Sequence, residues 1–183
     1  MNLQNITLIS FGYFENDLPG KIAETVKHEF KCTLSNKEGH IDLSEFYDPA
    51  RRQYNANDLL KHVDALYYPE SRKILGLFSV DLFIPVLTYI FGQAFLGGRT
   101  GITSNYRLNN ECYGMKKNDT LLLDRFRKEV IHELGHTFGL VHCSNPACVM
   151  RSSTYVEEID QKENSLCPGC RVVIGHKNPD KEG

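Results

Sequence analysis

No stretch of this chain is apolar for long enough to cross a bilayer. The longest candidate, residues 82–96, is interrupted by Pro85, Gly92 and Gln93 and falls short of the ~20 residues a spanning helix needs. The start, Met1-Asn2-Leu3-Gln4, lacks the basic stretch and apolar core of an export signal. Neither sign of charge is in excess. The formal net charge is −2, which gives no bulk attraction to nucleic acid or an anionic membrane. Repeats, linkers and low-complexity tracts do not stand out. A cytoplasmic protein is the expectation, so the triplets Asn5-Ile6-Thr7 and Asn118-Asp119-Thr120 read as chance matches to a glycosylation site. The 183 residues suffice for one domain with a sizeable core.

Short β-prone runs alternate with amphipathic ones. Residues 6–13 read as a first, central strand, and 19–30 as a helix with Ile22, Val26 and Phe30 four apart. A short strand is expected over 31–34, a turn over 37–40 and another short strand over 41–46. A helix over 57–66 turns Leu59, Leu60 and Val63 inward. Residues 74–83 read as a strand carrying Gly76 and Asp81, and a further strand lies near 100–104. The alternation points to an α/β sandwich. A long helix then starts at Asn118 or Asp119, either of which can cap it. Its apolar residues are Leu122, Phe126, Val130, Leu134 and Phe138.

The last two turns of that helix carry the most specific signal in the chain: His132-Glu133-Leu134-Gly135-His136, continued by Gly139 and His142. Residues four apart share one face of a helix, so His132 and His136 can offer two imidazole nitrogens to one metal. Glu133 is rotated by ~100° from His132. It can lie beside the metal without ligating it, placed to take a proton from water. Gly139 tolerates the left-handed conformation that ends a helix, and the resulting turn can return His142 as a third ligand. Three protein ligands leave a fourth position open, which marks a catalytic rather than a structural zinc. A bare His-Glu-x-x-His arises by accident in roughly one such chain in a few hundred. Gly139 and His142 multiply that by ~0.07 and ~0.02.

Four cysteines follow in two pairs, Cys143/Cys148 and Cys167/Cys170, the second spaced by Pro168-Gly169 in what resembles a zinc-knuckle bend. Four thiolates around tetrahedral zinc leave no open position, so this metal would be structural. Two disulfides would require export. A redox Cys-x-x-Cys would require a strand-turn-helix setting, and a nucleic-acid finger a basic recognition helix. None of these is legible. The adjacency of His142 and Cys143 suggests that the cysteine site clamps the loop that delivers His142.

Taken together, His132, Glu133, His136, Gly139, His142, Cys143, Cys148, Met150, Cys167 and Cys170 resemble the archaemetzincins, a zinc peptidase family of the metzincin clan. The likeness covers 132–170 and, more loosely, the segment from Ser79 to Arg99. It implies an α/β zincin-like (metzincin) fold with a mixed twisted sheet, an active-site helix and a small, loop-rich, zinc-stapled C-terminal subdomain. It also implies two Zn2+ per chain. One, catalytic, is held by His132, His136 and His142 with Glu133 as general base. The other is held by the four cysteines, and Met150 forms the methionine turn beneath the catalytic metal. The whole of 1–183 is then one catalytic domain, with the sheet, helices and active-site helix in 1–139 and the third histidine, Met150 and the cysteines in 140–183. The implied activity is zinc-dependent hydrolysis of peptide bonds in peptide or protein substrates; a monomer is expected, and the charge balance and the lack of a long apolar run lead to no expected nucleic-acid or membrane partner. A non-proteolytic zinc-dependent peptide binder, or an interaction module organised by the four-cysteine zinc, is the alternative.

Lesser features complete the reading. In metzincins an edge strand above the zinc pairs with extended substrate. Residues 91–104, with Gly92, Gly97 and Gly98, could supply that strand or be a flexible loop. Arg99 could face cleft or solvent. Tyr155 lies five residues after Met150 and is not assigned as a ligand. His28, His40, His62 and His176 read as surface or helix-face residues. Cys32 and Cys112 read as buried free thiols, and 176–183 as a frayed polar tail.

Overall fold

The computed structural model describes residues 4–68 and 72–175; the His176 and tail expectations fall outside the described residues. Strand β1 (Asn5–Phe11) leads into helix α1 (Leu18–Phe30), strand β2 (Thr33–Gly39) and the short strands β3 (Tyr47–Asp48) and β4 (Gln53–Asn55). Helix α2 (Ala56–Leu66) precedes β5 (Lys73–Phe78), β6 (Leu82–Phe83), β7 (Gly92–Ala94) and β8 (Thr100–Ser104). The long helix α3 (Asp119–Thr137) is followed by the short helices α4 (Val156–Asp160) and α5 (Pro168–Val173).

The main sheet has the order β2-β1-β5-β8-β7. Its first four strands are parallel, and β7 runs antiparallel to β8 at the edge. Alternation along the strands splits the core in two. Ile6, Leu8, Leu75 and Leu77 pack with Ile22 and Val26 of α1 and with Phe126, Val130 and Leu134 of α3. Ile9, Phe11, Ile74, Phe78 and Ile102 face the other way, onto Leu59, Leu60 and Val63 of α2. The result is a helix–sheet–helix sandwich, covered on both faces as parallel strands require. The small strands form a second sheet, β3-β4-β6. No helix of the described residues is long and apolar enough to cross a membrane.

Both long helices of the site-bearing layer have local causes. Pro19 sits in the first turn of α1, where a missing N–H costs nothing, and Lys31 ends the helix in the left-handed region. Asn118 caps α3 by accepting from the Leu121 amide at 3.0 Å.

Several expectations are refined or change. Strand β1 is interior, but β5 is the middle strand. Residues 37–39 form no turn; they continue β2, pairing with Ile9, Ser10 and Phe11. As an edge strand β2 needs no apolar alternation, and its exposed lysine and glutamate protect that edge. Residues 43–46 form a 3-10 turn rather than a strand, because the Asp42 carboxylate accepts from the Ser44 amide at 3.0 Å. The 74–83 run breaks after Phe78. The Asp81 carboxylate is held in an ion pair by Arg107, and Leu82–Phe83 leaves for the small sheet. Finally, Cys112 is exposed and Cys32 half-buried, rather than both buried.

The C-terminal segment is fixed to the sandwich by buried charge. Glu29 on α1 accepts from the Leu166 amide at 2.8 Å and pairs with Arg171 at 3.0 Å. Arg125 on α3 pairs with Asp160 at 2.7 Å and donates to the Leu108 carbonyl at 2.8 Å. Glu29→Ala strands the Leu166 amide and is expected to lower unfolding free energy by about 2 kcal/mol, read from a urea titration. A change within about 0.5 kcal/mol would mean that this anchor contributes nothing.

Candidate metal centres and active site

The end of α3 sets the histidine geometry. His132 and His136 lie one turn apart, and each spends its Nδ1–H on a backbone carbonyl: Val149 O at 2.9 Å and Leu140 O at 2.7 Å. Both Nε2 atoms are thereby left facing one another, 3.1 Å apart. Gly139 takes φ +89° and turns the chain, with its amide on the His136 carbonyl at 2.9 Å. His142 comes back, and one ring nitrogen from each of the three histidines falls within 4.8 Å of the others. Burial holds all three imidazoles below their ordinary range, favouring the neutral form that offers a lone pair to a metal.

Glu133 is buried beside them. Burial pushes its carboxyl well above the ordinary range, and nearby Glu129 adds to the shift while Lys162 opposes it. Its buried Oε2 has no hydrogen-bond partner, so one oxygen is left uncommitted. The edge strand makes room for it. A Cβ on Gly92 would lie 2.7 Å from Glu133 Cγ and 2.7 Å from the Ile102 carbonyl oxygen. Below the histidines, fully buried Met150 presses on α3 where Gly135 has no side chain; a Cβ there would sit 2.4 Å from Met150 Sδ.

These groups open onto a cleft of about 630 Å³ whose lining includes Gly92, Gln93, Ala94, Leu96, Val141 and Tyr155. The 91–104 segment is thus a strand pair, β7 with β8, whose edge strand lines the cleft. Arg99 faces neither cleft nor open solvent. It donates to the Asp64 carboxylate at 2.9 Å and to the Tyr67 carbonyl at 3.2 Å, tying β8 to α2. Tyr155 is exposed and caps α4 together with Glu158. His28 and His40 are exposed, and His62 is half-buried on α2 against Phe46.

The four cysteines converge, with their Sγ atoms within 4.8 Å of one another. The close pairs, Cys143–Cys167 and Cys148–Cys170, stand 3.8 Å apart, far beyond a disulfide bond of ~2.05 Å. Amides of Asn145, Met150 and Cys167 point at sulfur from 3.4 Å. Burial raises the Cys167 thiol, but the Cys170 amide and the neighbouring thiols outweigh it and bring it down to about 7. This donor set, soft and closed, suits tetrahedral zinc. Pro168 and Gly169 form no separate bend. They open α5, with Pro168 in its first turn, which points the Cys170 sulfur back toward Cys148. Two links join this cluster to the methionine turn: the Cys143 amide donates to the Met150 carbonyl at 2.9 Å, and the Met150 amide to Cys148 Sγ.

Sequence reasoning passed over three residues of the site. Lys73 donates to the Thr137 and Gly98 carbonyls at 2.7 Å each, bridging the end of α3 to the loop after β7. Glu129 and Lys162 form a buried ion pair in the cleft wall. Glu129 was findable, since it stands one turn before Glu133 on the same face.

A helix carrying two histidines and a glutamate, a third histidine returned by a glycine turn, and a methionine packed beneath them define a metallopeptidase with the metzincin fold. The chain belongs to peptidase family M54, the archaemetzincins, matching that family over residues 33–176. It is 35% identical over 165 residues to an archaemetzincin of Haloquadratum walsbyi, an alignment covering 86% of this chain and 94% of that one. Among solved structures, a zinc-dependent peptidase from Methanocorpusculum labreanum superposes with TM-score 0.85 at 30% identity, covering 93% of this chain and 100% of that one. An archaemetzincin from Methanopyrus kandleri gives TM-score 0.82 at 32% identity, covering 94% and 93%.

Because three atoms, two of them from the Glu133 side chain, already occupy the space above Gly92, Gly92→Ala is expected to displace Glu133. Peptide hydrolysis should fall at least about tenfold, which a 1.4 kcal/mol loss of transition-state stabilisation produces, with metal content unchanged. Retention of full activity would show that the Glu133 carboxylate does not need its observed stance.

Proposed function

We propose that this chain hydrolyses peptide bonds at a zinc ion held by His132, His136 and His142, with Glu133 as general base. The observation that carries the reading is the convergence of one ring nitrogen from each of three histidines within 4.8 Å, beside a buried carboxyl group with one oxygen that has no hydrogen-bond partner. Three nitrogen donors suit zinc and leave a position open for chemistry. Zinc bound there supplies a Lewis acid for water and for the scissile carbonyl. Glu133 takes the proton of the attacking water and returns it to the leaving amine. The β7 edge offers backbone donors and acceptors to an extended peptide.

The second zinc is structural and is held by Cys143, Cys148, Cys167 and Cys170, giving two per chain. Met150 supports the histidines from below. The chain acts as one catalytic domain, its 140–183 part completing a site begun in 1–139, and works as a monomer on peptides or flexible protein segments. The small net charge supports a protein without nucleic-acid or membrane partners, and unlinked thiols suit a reducing cytoplasm.

Native mass spectrometry should find two zincs in the wild type and one in His136→Ala. Glu133→Ala should keep both and lose hydrolysis by ~10³-fold or more, of the order of the 10²–10⁴ a general base supplies; binding without hydrolysis in the wild type would instead favour the peptide-binder alternative. The cysteine cluster should act on the histidines through the Cys143–Met150 contact. Cys167→Ser is therefore expected to weaken zinc at the histidines, measured by chelator competition, and an unchanged affinity would remove the clamp from the account.

A further inference from the structure

A buried cation outside every motif organises the turn beneath the histidines. Lys162 follows α4, and its side chain is fully buried. Its ammonium donates to the Arg151 carbonyl at 2.8 Å and to the Val149 carbonyl at 3.3 Å, and lies 3.7 Å from Glu129 Oε1 on α3. Val149 and Arg151 flank Met150. The Val149 carbonyl is also the acceptor for His132 Nδ1–H. One ammonium therefore grips both sides of the methionine turn, joins it to the helix bearing His132 and His136, and shares an acceptor with a proposed zinc ligand. An acceptor held by two donors has a fixed direction, and its direction sets the rotation of the imidazole that donates to it.

We propose that Lys162 is a positioning residue for zinc: it holds the Val149 carbonyl where that carbonyl turns His132 Nε2 toward the metal. The inference rests on the reading of the three histidines as zinc ligands. Charge argues in the opposite direction. Lys162 is a cation near a cation site, and removing it would also leave Glu129 with its negative charge unopposed. By Coulomb's law both changes would tighten zinc binding. Positioning predicts weaker binding, so the sign of the effect separates the two. A lysine that only stabilised the fold would lower unfolding stability and leave zinc affinity in the folded chain unmoved.

Zinc affinity at the histidine site would be measured by chelator competition on the full chain with its cysteine site loaded. Lys162→Met is expected to weaken it roughly 10–100-fold, the range for loss of a group that orients a ligand. Lys162→Arg, which keeps donors for both carbonyls, should recover most of the loss. Unchanged or tighter binding by folded Lys162→Met overturns the inference. Lys162→Met can fail to fold because Glu129 is left buried and unpaired. The double variant Glu129→Gln/Lys162→Met removes that charge and is judged by the same criterion. A wild type that binds no zinc at the histidines overturns the zinc reading and this inference with it. A wild type that binds zinc no better than Lys162→Met overturns this inference alone.

Discussion

The close approach of Met150 to Gly135 is the contact on which the rest of the site depends. A side chain at position 135 would occupy the space of the Met150 sulfur, so the turn can reach the helix only where a glycine lies between the two histidines. That approach brings the Val149 carbonyl to His132. It also brings Cys143 and Cys148 onto the backbone of Met150, so that two candidate metal centres share one turn. Packing, ligand orientation and the second centre thus follow from the absence of one methyl group. Proteins pack with few voids, which is why a gap of that size is decisive.

The geometry of the histidine and cysteine clusters was far more legible in sequence than their surroundings. His132, His136, Gly139 and His142 could be placed because helix periodicity and glycine's conformational freedom are local rules, and the structure brings ring nitrogens of the three histidines together around the Gly139 turn. The α3 boundary and its Asn118 cap were local too. What failed depended on neighbours. Residues 37–39 are polar because β2 has water on its outer side, a fact set by sheet order and not by the segment itself. Asp81 breaks a β-prone run because Arg107, twenty-six positions away, holds its carboxylate. Lys162 had no signal at all, since its meaning lies in which two carbonyls its chain position happens to reach.

Three ion pairs with a buried member join the C-terminal segment to the sandwich beside its apolar contacts: Glu29 with Arg171, Arg125 with Asp160, Glu129 with Lys162. Such pairs lose solvation on burial and add little net stability compared with apolar packing. Their geometry is directional, however, and each fixes a backbone group as well as a partner charge: the Leu166 amide, the Leu108 carbonyl and the Val149 carbonyl. Among its described residues the segment has two short helices, α4 and α5, and such contacts add direction to its apolar packing.

The span of those contacts also orders events in time. Glu29 meets its partners across 137 and 142 positions of chain, and contacts of such separation form late. On a ribosome, where the N-terminal part folds first, the sheet and α3 can be in place while Cys167 and Cys170 are still in the exit tunnel. A nascent chain then carries His132, Glu133 and His136 without the turn that orients them. His132 and His136 therefore meet His142 and the turn at Met150 only after the segment that carries them has been made.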